Sequence, residues 1–339
     1  MEKSEIIIAD IKYGIDKENQ TAEVLANNYT GDVIIPAIIK IEGVTYIVIK
    51  ISEEAFKNCV GITSILLPNS ILEIGDCAFE GCTGLTAIII PDSVITIGED
   101  AFTGCTGLTS IILPDSVTEI HWFAFSGCTG LTSIILPSLL EEIWTGLFSG
   151  CTGLTSITIP NSVVYINKCA FDGCSGLTSI TIPNSVKSIG HNAFCGCSSL
   201  TSITIPNSVT EMGYEAFIGC TALSSIHYSN SMTYIGVSVF EDCTALATIT
   251  IPASVTEVCA DAFKCCKQLV DVFFFAEDVP KTELDAFEDS NIENATLHVP
   301  AEAVEKYRNA VHWNRFGKIV PLTEEELANY QSETEAINQ

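Results

Sequence analysis

The apolar positions of this 339-residue chain recur with a fixed step of 23 residues. Phe56, Phe79, Phe102, Phe125, Phe148, Phe171, Phe194, Phe217, Phe240 and Phe263 keep that step, and Phe287 follows after 24. Prolines keep it from Pro68 to Pro206, Ser229 stands in the next place, and Pro252 resumes it. Such a period marks stacked coils, each too small to bury its own faces, that share one core with their neighbours.

One unit shows how the pattern folds. In LTAIIIP, from Leu85 to Pro91, the spacing predicts a strand with Leu85, Ile88 and Ile90 inward and Ala87 and Ile89 outward. Proline ends the strand because it cannot donate to a ladder. DSVITIG then sends Val94 and Ile97 inward, and EDAFTGC is expected to return as a short helical turn with Ala101 and Phe102 in the core. Gly104 and its equivalents at 81, 127, 150, 173, 196 and 219 suit a turn that needs φ > 0.

These units, with AF ending three residues before Cys and LxxIxIP after it, resemble the BspA-like (Treponema pallidum-type) family of leucine-rich repeats over residues 51 to 275. The resemblance implies a leucine-rich-repeat solenoid, a right-handed superhelix. Its parallel β-sheet would line the concave face, with short helical or 3-10 turns and short strands on the other side. The flanks IKYGIDKENQTAEV, VIIPAIIKIEGVTYIVIKI and LHVPAEAVEKYRNAVHWNRFGKIVPL look like that family's ends. Caps are also a physical necessity, since an open solenoid exposes its core and strand edges. The expected organisation is a β-rich N-terminal cap over 1–50, ten repeats over 51–276, a last irregular repeat and C-terminal cap over 277–322, and an acidic tail over 323–339. Within the C-terminal cap, Ala301 to Arg308 is expected as a helix, with Tyr307, Trp313, Phe316 and Ile319 covering the last coil. The tail is open to a helical reading.

Composition narrows the class. The chain is 47% hydrophobic and yet carries 42 Asp plus Glu against 15 Lys plus Arg, a formal charge of −27. Disorder would need low hydrophobicity beside that charge, and a nucleic-acid binder would need a field of opposite sign. Residues 62 to 276 hold 18 acids against Lys168, Lys187, Lys264 and Lys267. This surface disfavours DNA, RNA and anionic membrane and steers a basic protein partner toward it. No stretch approaches the roughly 18 apolar residues of a membrane span, and MEKSEIIIAD lacks a basic segment followed by an apolar one. The chain as given is expected to be soluble, without membrane insertion, and either intracellular or trimmed.

Stacking turns sequence columns into surface stripes. The outward column at position 89 reads Leu66, Ile89, Ile112, Ile135, then Thr158, Thr181, Thr204, His227, Thr250 and Phe273, with His298 a candidate continuation. The neighbouring column is almost all serine, from Ser64 to Ser225. Leu66, Ile89, Ile112 and Ile135 thus form an apolar strip of the kind that marks a partner site. Strand propensity of branched side chains is the alternative, although Thr serves it equally in later copies. A secondary candidate is His227, Tyr228, Asp271 and Phe273, able to hold a peptide or sugar ring. Decay of the repeat toward the cap is the favoured explanation there.

Ten of the fifteen cysteines, from Cys59 to Cys266, occupy one inward column, where free cysteine acts as a small hydrophobe. Cys77, Cys169, Cys195, Cys259 and Cys265 are strays. A ladder of this kind is not a set of four ligands converging on a metal. Catalytic signatures such as HExxH, GxSxG and a Walker loop are absent from the sequence, and His191 beside Cys195 lacks an orienting acid. Glu73, Glu119, Glu142, Glu211 and Glu257 share a column, read as a solvated face rather than a cation site. No cofactor, metal or catalytic residue is expected.

The function expected is a non-enzymatic protein-recognition module that binds a protein through the sheet face. By resemblance it is adhesin-like and extracellular or at the cell surface, with a host or neighbouring-cell protein as partner. The alternative is a structural spacer or self-associating scaffold, although a monomer is favoured.

Overall fold

The computed structural model describes residues 4–337 and falls into two compact units, Met1–Ser162 and Val163–Gln339. Both are parallel-strand solenoids built on the 23-residue unit. In the first unit the strands Ile62–Leu66, Ala87–Ile89, Ser110–Ile112 and Ser133–Ile135 lie side by side in sequence order. Their register matches the sequence period, with Ser110 opposite Ala87 and Ser133 opposite Ser110, so that equivalent side chains stack in rows. Two-residue strands Glu73–Ile74, Thr96–Ile97 and Glu119–Ile120 form a second parallel ladder.

The N-terminal cap begins both ladders. Ser4–Ile8, Ile11–Asp16 and Thr21–Val24 form an antiparallel meander, and Val44–Ile51 joins Thr21–Val24 in parallel. The far end of Val44–Ile51 pairs with Glu73–Ile74, while Gly31–Ile34 pairs with Ile62–Leu66. The cap therefore presents a strand edge to each ladder of the first coil. It also closes the core, because the Tyr29 ring lies 4.6 Å from Phe56 and its hydroxyl donates to the Leu25 carbonyl at 2.8 Å.

The second unit carries a six-stranded parallel sheet, Ser202–Thr204, Ser225–His227, Thr248–Ile251, Asp271–Phe274, Thr296–Val299 and Lys318–Pro321. A 3-10 turn Ala301–Ala303 runs into the helix Val304–Asn309, where the sequence predicts one. Trp313 packs 5.4 Å from both Phe274 and Phe287, and Phe316 packs 5.5 Å from Phe287. These rings seal the last coil. The tail is a helix, Glu324–Ile337.

The core follows the columns. Leu85, Ile88, Ile90, Val94, Ile97, Ala101, Phe102 and Cys105 are all at most 5 % exposed. Each large apolar side chain so buried contributes about 1.5–3 kcal/mol. Phenylalanines stack copy on copy, with centroids 5.0 Å apart for Phe56 and Phe79 and 5.2 Å for Phe194 and Phe217. The cysteine column does more than fill space. Eight of its thiols donate to the carbonyl of a phenylalanine 26 residues earlier, as Cys105 does to Phe79 at 3.1 Å and Cys220 to Phe194 at 3.1 Å, whereas Cys59 in the first coil donates to Asn27 O. The thiol is a second donor to a carbonyl that already accepts an amide of its own turn, as Phe79 O does from Cys82 N–H, and it is small enough to be indoors.

The return segments are the short turns expected on this side, closed by i→i+3 bonds and not joined into a continuous helix. Each contains two left-handed residues four apart, such as Asp100 at φ 53° and Gly104 at φ 70°. A left-handed residue every fourth position interrupts an α-helix. Alternate amides instead reach the next coil, with Asp100 N–H donating to Trp122 O, Phe102 to Ala124 and Gly104 to Ser126. The amides between them close local turns, Ala101 to Gly98 and Thr103 to Asp100. Every donor of the segment thus has a use without a helix. Gly107 has a different role, since a Cβ there would stand 2.4 Å from the Thr83 carbonyl oxygen of the preceding coil.

Candidate functional site

The outward column of the first unit is an open apolar strip. Leu66, Ile89, Ile112 and Ile135 are 55, 77, 64 and 61 % exposed. The parallel register sets Ile89 beside Ile112 and Ile112 beside Ile135. It also adds a residue that the sequence reading missed. Ile34, on the cap strand Gly31–Ile34, stands opposite Leu66 and is 66 % exposed. The strip therefore starts in the cap and spans five strands, about 19 Å at the usual strand spacing. A signal for it exists in the sequence, because VIIP in the cap has the form of the IIIP that ends a repeat strand.

The strip stands clear of its surroundings. The row beside it is Ser64, Ala87, Ser110 and Ser133, all exposed and all small. At the cap end Asp32 accepts from the hydroxyls of Ser64 at 2.6 Å and Thr63 at 3.0 Å, which hold its carboxyl below the usual range. The apolar ridge thus has an ionised, hydrogen-bonded acid beside its first strand.

The second unit carries other chemistry in the same column. Thr181 and Thr204 are exposed, whereas His227, Thr250, Phe273 and His298 are half-buried. The register places His227 beside Thr250, Thr250 beside Phe273, and Phe273 beside His298. Of the secondary candidates, Asp271 and Phe273 come together around His298. Its Nε2 is 3.1 Å from the Asp271 carboxylate, and its ring stacks on Phe273 at 4.4 Å. His227 lies two strands from Phe273, with Thr250 between them.

Tyr228 does not belong to this face. It is 1 % exposed, and its hydroxyl donates to the Tyr234 carbonyl at 2.9 Å. Its position equals that of Ile205 and Ile251, which point inward, so strand alternation sends a side chain next to outward His227 into the core. Ser229, replacing proline next to it, is also buried and donates to Val209 O at 2.8 Å.

The thiols are poorly suited to nucleophilic chemistry. Burial pushes Cys82, Cys151 and Cys220 up to about 12. The stray Cys195 is pushed equally high, first by burial and then by its hydrogen bond to Asp172. Its neighbour in sequence, His191, accepts the Tyr214 amide on Nδ1 at 2.8 Å. Activation requires a depressed thiol, the reverse of what is found. Cys77 and Cys169 fall at left-handed positions of the return segments, equivalent to Asp100, and this accounts for their sharing a column.

Among the described residues no group of three or more His, Cys, Asp or Glu side chains could hold a metal ion, and no helix is long and apolar enough to cross a membrane. A recess of about 280 Å³ in the cap is lined by Asp16, Asn19, Glu23 and Lys50 among others. Asp16 there accepts from the Glu18 and Asn19 amides.

The BspA type leucine rich repeat region model matches residues 49–178 and 165–293. Among solved structures, a leucine-rich repeat protein from Bacteroides ovatus is 25% identical, with a TM-score of 0.64, 94% of this chain and 100% of that chain covered. A leucine rich cell surface protein from Faecalibacterium prausnitzii is 26% identical, with a TM-score of 0.52 and 96% and 97% covered. The pneumococcal vaccine antigen PcpA shares the fold at 19% identity, with a TM-score of 0.59 and 95% and 99% covered. No curated protein matches the chain. With the period, the two parallel ladders and the buried Phe and Cys columns in agreement, the chain belongs to the BspA type leucine-rich repeat family.

Proposed function

We propose that the chain is a non-enzymatic protein-recognition module, adhesin-like and displayed at a cell surface, whose first-unit sheet face binds a protein partner. The observation that carries this reading is the row Ile34, Leu66, Ile89, Ile112 and Ile135, each more than half exposed. Thr fills the same column at 158, 181 and 204, so backbone propensity does not call for aliphatic residues there. An exposed row of this kind, rimmed by small polar residues, has the make-up of an interface centre. The negative field of the repeats favours a partner with an apolar ridge and a basic rim. Surface display is supported by the Faecalibacterium relative, described as a cell surface protein. The division into cap, ten repeats, C-terminal cap and tail is part of the same reading.

The test replaces Leu66, Ile89, Ile112 and Ile135 together by Thr. Because Thr already occupies this column elsewhere, the variant is expected to keep the wild-type circular dichroism and unfolding midpoint. Its capture of the partner should fall by at least about tenfold, the equivalent of about 1.4 kcal/mol. Undiminished capture by the folded variant would move the site elsewhere. Sedimentation of both proteins over a concentration range separates the scaffold reading: a wild type that self-associates while the Thr variant does not would make the strip a homotypic contact.

A further inference from the structure

The tail helix Glu324–Ile337 is too short and too acidic to be held by propensity or by an apolar stripe. Its start is fixed locally. Thr323 N–H donates to the Glu326 carboxylate at 2.7 Å, and Glu326 N–H donates to the Thr323 hydroxyl at 3.2 Å, a reciprocal capping box. Its position is fixed by two side chains one turn apart. Glu326 reaches His298 Nδ1 at 3.1 Å, and the Tyr330 ring lies flat on Phe275 at 3.7 Å and 14°. The Tyr330 hydroxyl donates to Asn230 Oδ1 at 2.6 Å. Between Glu324 and Ser332, only Glu326 and Tyr330 are half-buried, and the other residues of that stretch, Leu327 included, are exposed.

The receiving groups are set by the repeats. His298 is held by Asp271 and by stacking on Phe273, and Phe275 follows Phe273 in the alternation that points 271, 273 and 275 outward. Asn230 sits in the loop after Ser225–His227, with its own amide donating to Asn207. The face thus presents an aromatic platform, an imidazole and a side-chain amide in a fixed array. From Glu324 to Ser332 the helix meets this array with one half-buried acid and one half-buried tyrosine four residues apart. A seat this directional, with most of the surface from Glu324 to Ser332 left exposed, suits a replaceable occupant rather than a structural strut.

We propose that this end of the second unit's sheet face is a second binding site, for a partner helix carrying Glu and Tyr one turn apart, and that the chain's own tail occupies it in cis. A tethered occupant acts at an effective concentration on the order of millimolar, so a ligand in trans must outcompete it. The site is separate from the first-unit strip and uses none of its residues.

The test uses the full chain. A fluorescent peptide with the sequence of residues 320–337 is titrated into wild type and into the double variant Glu326→Gln, Tyr330→Ser, in which Gln retains the capping box. The variant is expected to bind the peptide at least about tenfold more tightly than wild type, as release of a tethered competitor requires. Adding Phe275→Ala and His298→Ala should abolish that binding. Equal binding by wild type and variant, or none by the variant, would overturn the proposal. Hydrogen exchange gives a second reading that does not depend on the peptide's own helicity. Tail amides should exchange faster in the double variant and in Phe275→Ala than in wild type, and unchanged exchange would contradict docking. The four-Thr variant of the strip should behave as wild type in both measurements.

Discussion

The outward column of the repeat has two characters in one molecule. From Ile34 to Ile135 in the first unit it is aliphatic, more than half exposed at every position, and flanked by Asp32, Ser and Ala. In the second it passes through Thr181 and Thr204 to His227, Phe273 and His298, half-buried side chains at the end where the tail helix is seated. The parallel register and the buried Phe and Cys columns are common to both. A column that leaves the fold indifferent is free to carry recognition, and the two halves carry different kinds: an open apolar ridge in one, a directional aromatic and polar array with an occupant in the other.

The largest effect should fall on both units alike, because it acts on what they share. The column thiols Cys82, Cys151 and Cys220 rise from an ordinary value of 9.0 to about 12 on burial. The folded state then holds these protons more tightly than the unfolded chain. Their contribution is complete below pH 9 and is lost as pH rises toward 12, by about 1.4 kcal/mol per pH unit for each thiol. Denaturation midpoints measured from pH 8 to 11 should fall with a slope of several protons. A flat profile would mean that the column is not buried as described.

A smaller effect should separate the units. Ile34→Thr, at the cap end of the strip, is expected to weaken partner capture only several-fold, since one residue at the edge of a patch contributes less than its centre. It should leave tail protection unchanged. If Ile34→Thr matched the four-Thr variant, the binding centre would lie in the cap rather than on the repeats.

Much of this was legible in the sequence, because a solenoid repeats its instructions. The step of 23 residues, the inward places of Leu85, Ile88, Ile90, Val94 and Ile97, the positive φ of Gly104 and its equivalents, and the helix before Asn309 all follow from pattern and elementary stereochemistry. The features that pattern does not display have specific physical causes. Tyr228 follows the outward His227 in an HY pair that looks like one aromatic cluster, whereas alternation places consecutive residues on opposite faces. The returns stay single turns and do not extend into helix because Asp100, Phe123 and Cys169 take left-handed φ, for which composition gives no warning. Their amides are used across coils, and a single copy does not display that bonding. Ile34 escaped because its pairing skips the 23-residue step, and the tail's seat escaped because Tyr330 meets Asn230 a hundred residues earlier.

The central claim, that the first unit's aliphatic row is the partner-binding face, is tested most directly by hydrogen-exchange footprinting of the wild type bound to a protein captured by it and not by the four-Thr variant. The expected footprint is added protection in Ile62–Leu66, Ala87–Ile89, Ser110–Ile112 and Ser133–Ile135, with the Thr296–Val299 strand unchanged. Protection confined to the second unit, or to the short strands of the other ladder, would contradict it.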